Sequence, residues 1–269
     1  IIVYKGDEKF EADRIVDLGG CFVLPGFVDC HCHILPLGLD LSRLNLKNTF
    51  SREAVFQLLK DHSGGLKDGE WIIAVHYDAN LFDDKRDITS DELESVCPGI
   101  PIVLRHASGH ACVASKSALR LAGITRATEN PEGGVIVRDE KGEPIGLLQE
   151  DAMSLVYRVV PKPDKYQIRD AIKSALQSMI SYGITCASDM MTGSYGLEDE
   201  FWAYEKAIEE GGGFRCRLYI AWEYLFERGD FDKRDFPDSG MVRVGGVKLY
   251  ADGAIGAGTA AFYESDMFG

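Results

Sequence analysis

Cys21 to His33 reads CFVLPGFVDCHCH, an apolar run that turns to chemistry at Asp29. If these residues form a strand, successive side chains alternate between its two faces. Asp29, His31 and His33 then share one face, and Cys30 and Cys32 share the other. Two imidazoles one pleat apart on a rigid strand can converge on a metal ion. The cysteines point away, and Cys-His zinc knuckles space their ligands more widely. A His-x-His pair also occurs on surfaces and in cores that bind nothing. The setting favours a ligand pair: an apolar strand before it, Pro25 and Gly26 to position it, and Asp29 as a partner for a ring nitrogen.

Composition sets bounds around this stretch. A chain of 269 residues with 45% hydrophobic content has material for a sizeable core in one large domain or two. No apolar run is long enough to span a membrane, and IIVYKGDEKF shows no signal-peptide pattern; it begins mid-pattern, without Met. A formal charge of −14 argues against nucleic acid and anionic membranes as partners. Homo-oligomerisation is left open. Seven cysteines without C-x-x-C spacing read as reduced thiols and a cytoplasmic location. A GxSxG elbow, a P-loop and a GxGxxG after a strand are all absent, which removes the serine-hydrolase, NTPase and Rossmann readings.

Residues 1–21 read as short extended pieces. Beyond His33, Ser51 caps a helix through about Ser63, and 71–75 and 101–106 are buried strands. Thr89 and Glu92 form a capping box, and Ser115 caps a helix ended by Gly123. A hairpin pairs 135–139 with 143–150. Residues 39–160 are too many for a loop and form an inserted α/β domain. Asp164 then caps a long helix whose apolar face runs Ile168, Ile172, Ala175, Leu176, Met179, Ile180, with Gly183 ending it. Strand signals follow at 184–190, 216–222 and 247–253, with a helix over 197–210 between the first two. Residues 223–244 are too charged and too broken by Gly229, Pro237 and Gly240 for a helix. Strands alternating with helices predict a parallel α/β architecture.

PGFVDCHCH resembles the first-strand signature of the amidohydrolase superfamily. The blocks RHASGHACVASKSALRLAGI, NPEGGVIVRDEKGEPIGLLQEDA and GGVKLYADGAIGAGTAAF resemble amidohydrolase family 3, the branch of N-substituted formamide deformylase-like hydrolases. The resemblance implies the N-terminal half of a (β/α)8 TIM-like barrel, with strands one to four in 22–38 and 161–269 and the large α/β insertion after strand one. Residues 1–21 would be the remnant of a flanking β-sandwich, the chain being truncated at both ends. It implies His31 and His33 as ligands in a mono- or binuclear centre of divalent metal, zinc the expected ion. Counting strands puts Lys248 in the fourth, where binuclear members carry a carboxylated lysine bridging two metals. A lysine snorkelling from a strand end is the competing reading.

His110 lies in a block matching the family's insertion motif, expected to reach over the barrel mouth, so it is a candidate substrate contact. Tyr77, with Asp78 beside it, is a weaker candidate of the same kind. Asp29, Asp189 and Asp252 are candidates to support the ligands from behind. There are also departures. Ala257, Gly258, Thr259 and Ala260 stand where the family usually shows Ser-Arg-Thr-Ala, and no histidine follows His110. The family's later ligands therefore have no counterparts up to Gly269, and its general base is expected beyond Gly269. The implied activity is hydrolysis of a non-peptide, amide-type C–N bond in a small molecule. A catalytically incomplete fragment, a non-enzymatic scaffold and a mononuclear deaminase-type member are the alternatives.

Overall fold

The computed structural model describes residue 6 and residues 11–67, 69–228 and 236–251. Strand β1 runs Phe27–Cys32 and helix α1 follows at Ile34–Ser42. β1 starts later than the apolar run. A strand needs a hydrogen-bonding neighbour, and pairing begins only at Phe27 opposite Ile184, so Phe22 stays 99% exposed. His33, expected on the strand, is instead the N-cap of α1. No helix is read between His33 and Ser51 from the sequence, and Pro36 and Gly38 are poor helix formers. Pro36 falls in the first turn, where its missing N–H costs nothing. α1 also runs across the expected domain limit at 38/39. Where the sandwich remnant is expected, no strand forms among the described residues between 11 and 26.

The intervening segment holds β2 (Leu44–Asn45), α2 (Arg52–Ser63), β3 (Ile72–Tyr77), α3 (Ser90–Val96), β4 (Ile102–His106) and β5 (Ala111–Ala114). α4 (Lys116–Leu121), β6 (Gly134–Arg138), β7 (Pro144–Glu150) and α5 (Ser154–Tyr157) complete it. The helix starts follow from their caps. Ser51 accepts from the Ala54 amide at 3.2 Å, and Thr89 and Glu92 close a reciprocal capping box. The six strands order β2-β3-β4-β5-β7-β6; β2, β3 and β4 are parallel and the remaining pairs antiparallel. Both faces are buried. Ile102 and Leu104 pack with Leu59 and Leu93 on one side, while Val103 packs with Leu119, Leu148 and Val156 on the other.

α6 (Lys165–Ser181), β8 (Ile184–Thr192), α7 (Leu197–Gly211), β9 (Arg215–Ala221), α8 (Trp222–Arg228) and β10 (Val242–Lys248) follow. Asp164 and Gln167 close a second capping box at the start of α6. The apolar face of α6 is buried from Ile168 to Met179, but Ile180 is 44% exposed. The second sheet orders β1-β8-β9-β10 and is parallel throughout. α6 and α7 cover one face, where Cys216, Leu218 and Ile220 meet Ile172, Leu176, Phe201 and Tyr204. Arg217 and Tyr219, alternating with them, are only half-buried on the other face. Two expectations shift. The fourth strand ends at Lys248 rather than running through 247–253, and a helix, α8, forms within the stretch judged too broken for one.

Candidate metal centre

All four strands of the parallel sheet end on the same edge, and the chemistry collects there. β1 does not alternate cleanly at its end. Its register with β8 slips between Asp29 and Cys32, so the two-residue period fails where the histidines begin. The Asp29 carboxylate turns back along the chain to accept the His31 amide at 3.0 Å. His31 and His33 remain exposed, their ring centroids 5.8 Å apart and their planes at 89°. Cys32 turns inward instead of sharing an outer face with Cys30. Its thiol donates to the Ser188 carbonyl at 3.4 Å, and burial, with Asp29 and Asp189 nearby, pushes it up to about 12.

Asp189 sits opposite Cys32 on β8 and is 1% exposed. Its carboxylate accepts the Tyr204 hydroxyl and the Met191 amide at 3.1 Å. Burial raises its pKa above the ordinary carboxylate range, while those donors and the nearby His33 pull it back. Lys248 ends β10, half-buried, with its ammonium 5.0 Å from the Tyr250 ring centroid. Asp252 lies outside the described residues, and so do the stretch 257–260 and Gly269, beyond which the general base is expected.

The ends of β3, β4 and β7 and the start of β5 frame a separate cleft of about 400 Å³. His106, Ser108, His110, Lys85, Asp87 and Glu150 line it. His106 Nδ1 lies 2.8 Å from Ser108 Oγ, and its Nε2 lies 3.5 Å from Asp78. His110 Nδ1 meets the Glu150 carboxylate at 3.0 Å. Glu150 holds this pair from a left-handed backbone at φ 50°, a strained conformation for a residue with a side chain. Tyr77 does not open into the cleft. It is 1% exposed, and its hydroxyl donates to Asp87 and accepts the Ile88 amide, which fixes the wall of the loop.

Sequence reasoning does not single out Tyr204 or Glu200. Both lie on α7, where a tyrosine among apolar residues reads as core and a glutamate in an acidic first turn reads as solvated. Glu200 is fully buried. It accepts the Gly193 and Tyr195 amides at 2.6 and 2.7 Å, and burial pushes its carboxyl up to about 7.

The His31–His33 pair suits a divalent ion with a taste for nitrogen. Among the described residues no group of three or more His, Cys, Asp or Glu is arranged to hold a metal. Nor is any helix among the described residues long and apolar enough to cross a membrane.

A parallel α/β sheet with an imidazole pair at its carboxyl edge fits the family that the comparisons show. The profile of the Amidohydrolase family matches residues 14–267, and the chain belongs to that family, in its family 3 branch. It is 32% identical over 251 residues to the protein YtcJ of Bacillus subtilis (strain 168), covering 93% of this chain and 47% of that one. It is 28% identical over 257 residues to N-substituted formamide deformylase of Arthrobacter pascens, covering 90% and 46%. The chain thus spans about half the length of the curated relatives it matches. Among solved structures, an uncharacterized metal-dependent hydrolase from Pyrococcus horikoshii OT3 superposes with a TM-score of 0.65 at 22% identity, covering 87% of this chain and 44% of that one. This last likeness shows a shared fold.

Proposed function

We propose that this chain is part of a metal-dependent amidohydrolase that cleaves a non-peptide, amide-type C–N bond in a small molecule. The observation that carries the reading is the pair of exposed imidazoles, 5.8 Å apart, at the carboxyl edge of a parallel sheet. Catalytic residues gather at that edge in α/β barrels. The half-buried face of the sheet and its open edge strands, β1 and β10, suit strands one to four of a (β/α)8 barrel, with 39–160 as the insertion.

His31 and His33 would hold the ion, zinc being the expected one for nitrogen donors. A bound divalent ion would supply an activated water and polarise the substrate carbonyl. Lys248, at the same edge of β10, would complete a two-ion centre as its carbamate. Asp29, hydrogen-bonded to the His31 amide, restrains that residue's backbone. His110 is the proposed substrate contact, supported by its place in the cleft and its pairing with Glu150. The seven unpaired cysteines support a reducing, cytoplasmic compartment.

A single-ion, deaminase-type centre is the second reading. In that reading Lys248 carries no carbamate, and its side chain packs on the Tyr250 ring, 5.0 Å from the centroid. The primary test is the His31→Ala/His33→Ala double variant with elemental analysis after loading with zinc. Loss of bound metal is expected. A folded double variant with unchanged metal content rejects the assignment.

A further inference from the structure

We propose that Ser108, His106 and Asp78 form a second, metal-independent acyl-transfer site in the cleft of the inserted segment, with Ser108 as nucleophile toward esters of small carboxylic acids. The three come from two neighbouring strand ends: β4 ends at His106, which pairs with Tyr77 of β3, and Asp78 follows Tyr77. Ser108 Oγ lies 2.8 Å from His106 Nδ1, and Nε2 of the same ring lies 3.5 Å from the Asp78 carboxylate. A serine two residues from a histidine can close a turn and do no more. Here the surrounding hydrogen bonds fix which ring nitrogen carries the proton. The Ser108 amide donates to Nδ1 at 3.1 Å, so Nδ1 keeps its lone pair and the ring proton sits on Nε2, toward Asp78. The Ser108 oxygen accepts the His110 amide at 3.2 Å, which leaves its own hydrogen free for Nδ1. A general base needs this polarity, with its lone pair toward the hydroxyl and its N–H toward the carboxylate.

Asp78 is itself fixed, since Oδ1 accepts both the amide and the side chain of Asn80 at 2.9 Å. Such a constellation is defined by geometry and roles, so the missing GxSxG elbow excludes only one fold's version of it. The cleft, about 400 Å³, suits a small molecule, and Ser108 and His106 both line it. Lys85 and Glu150 on its wall hold left-handed backbone at φ 49° and 50°, strain of a kind that gathers at functional sites. Glu150 is taken by His110, whereas Lys85 has no ion pair among the described residues. Its ammonium is the charge available to a developing oxyanion. In the reaction, Ser108 Oγ bonds to the ester carbonyl carbon as its proton passes to His106 Nδ1. The C–O bond to the alcohol then breaks, and the alcohol leaves with that proton. Water adds to the acyl-serine and gives one proton to Nδ1. The bond to Ser108 breaks, Oγ takes that proton, and the carboxylic acid departs.

The test uses the full 269-residue chain in EDTA, with the exposed thiols of Cys21 and Cys30 alkylated. A fluorophosphonate should leave its phosphonyl group on Ser108, located by peptide mass spectrometry, and p-nitrophenyl acetate should be hydrolysed. Ser108→Ala should abolish the adduct and slow hydrolysis by about 100-fold or more, and His106→Ala should do the same with Ser108 still present. Ser181→Ala, at an exposed serine ending α6, is the control and should change neither. Should His106→Ala not fold by circular dichroism, Asp78→Asn takes its place and should slow both reactions by about tenfold or more. No adduct on Ser108, an adduct formed as fast in the folded His106 or Asp78 variant, or undiminished hydrolysis in Ser108→Ala overturns the inference. Hydrolysis that appears only on adding zinc and is lost in His31→Ala belongs to the metal centre and overturns it equally.

Discussion

Gly38 of α1 and Ala171 of α6 cross so closely that a Cβ on Gly38 would lie 1.9 Å from the Ala171 carbonyl oxygen. The obstacle is backbone in the middle of a capped helix, which cannot swing aside as a side chain could. Gly38→Ala is therefore expected to destabilise the protein by about 3 kcal/mol or more, beyond ordinary overpacking. Urea unfolding followed by circular dichroism measures it. A loss under about 1 kcal/mol would show that the two helices part easily.

The same glycine shows which features the sequence displays and which it hides. Caps and periodic faces are local, so Ser51, Thr89 with Glu92, and Asp164 mark their helices correctly. α1 is hidden because Pro36 and Gly38 argue against a helix locally, while the packing on α6 that requires Gly38 comes from over a hundred residues away. The site divides in the same way. His31 and His33 announce themselves by adjacency, and Asp189 by its place at the end of the strand expected at 184–190, although β8 runs on to Thr192. Tyr204 and Glu200 take their meaning from partners across the fold, and nothing in their own neighbourhood separates them from core and surface residues. The pleat argument fails at Cys32 because a register slip cannot be read from side-chain alternation.

Glu200 gives the fold a pH dependence. Burial lifts its carboxyl from 4.5 to about 7, against the pull of the Gly193 and Tyr195 amides. The folded protein therefore keeps a proton that the unfolded chain releases between those values. Stability is greatest below the lower value and falls as pH rises through about 7, by up to about 3 kcal/mol. Asp189, also raised by burial, acts with the same sign. Asp78, Asp84, Glu92 and Glu210 are held low and act with the opposite sign, but only in more acid solution. The melting temperature should drop by several degrees between pH 5 and pH 8, and Glu200→Gln should remove most of that slope. An unchanged slope in the variant would assign it to other groups.

Lys248 separates the two metal readings. In a two-ion centre its carbamate is a ligand, so Lys248→Ala should lose about one metal equivalent per chain by elemental analysis. Short carboxylic acids should restore part of it by filling the vacated space. In a one-ion centre Lys248 is a cation resting on Tyr250. Metal content would then be untouched, and the loss would be a cation–π contact of about 0.5–1 kcal/mol. These outcomes do not overlap.

His31 and His33 supply two nitrogen donors, and among the described residues no group of three or more His, Cys, Asp or Glu is arranged to hold a metal. A catalytic zinc takes about three protein ligands and keeps one position open. This 269-residue chain, which spans 47% of the length of YtcJ, is therefore expected to bind zinc weakly and to leave N-formyl and N-acyl amines unhydrolysed. Weak binding follows from the ligand count, because each missing donor leaves a coordination position to water. The missing turnover follows because the carboxylates nearest the pair are already engaged, Asp29 by the His31 amide and Asp189 by Tyr204 and Met191. Calorimetry with zinc and an amine-release assay measure the two separately. Turnover on adding a polypeptide that covers the rest of the relatives' length would show a centre divided across the sheet edge. Hydrolysis by this chain alone, abolished in His31→Ala, would show instead that the site closes on itself. His76, His106 and His110 would then be the first donors to substitute, each followed by a zinc titration.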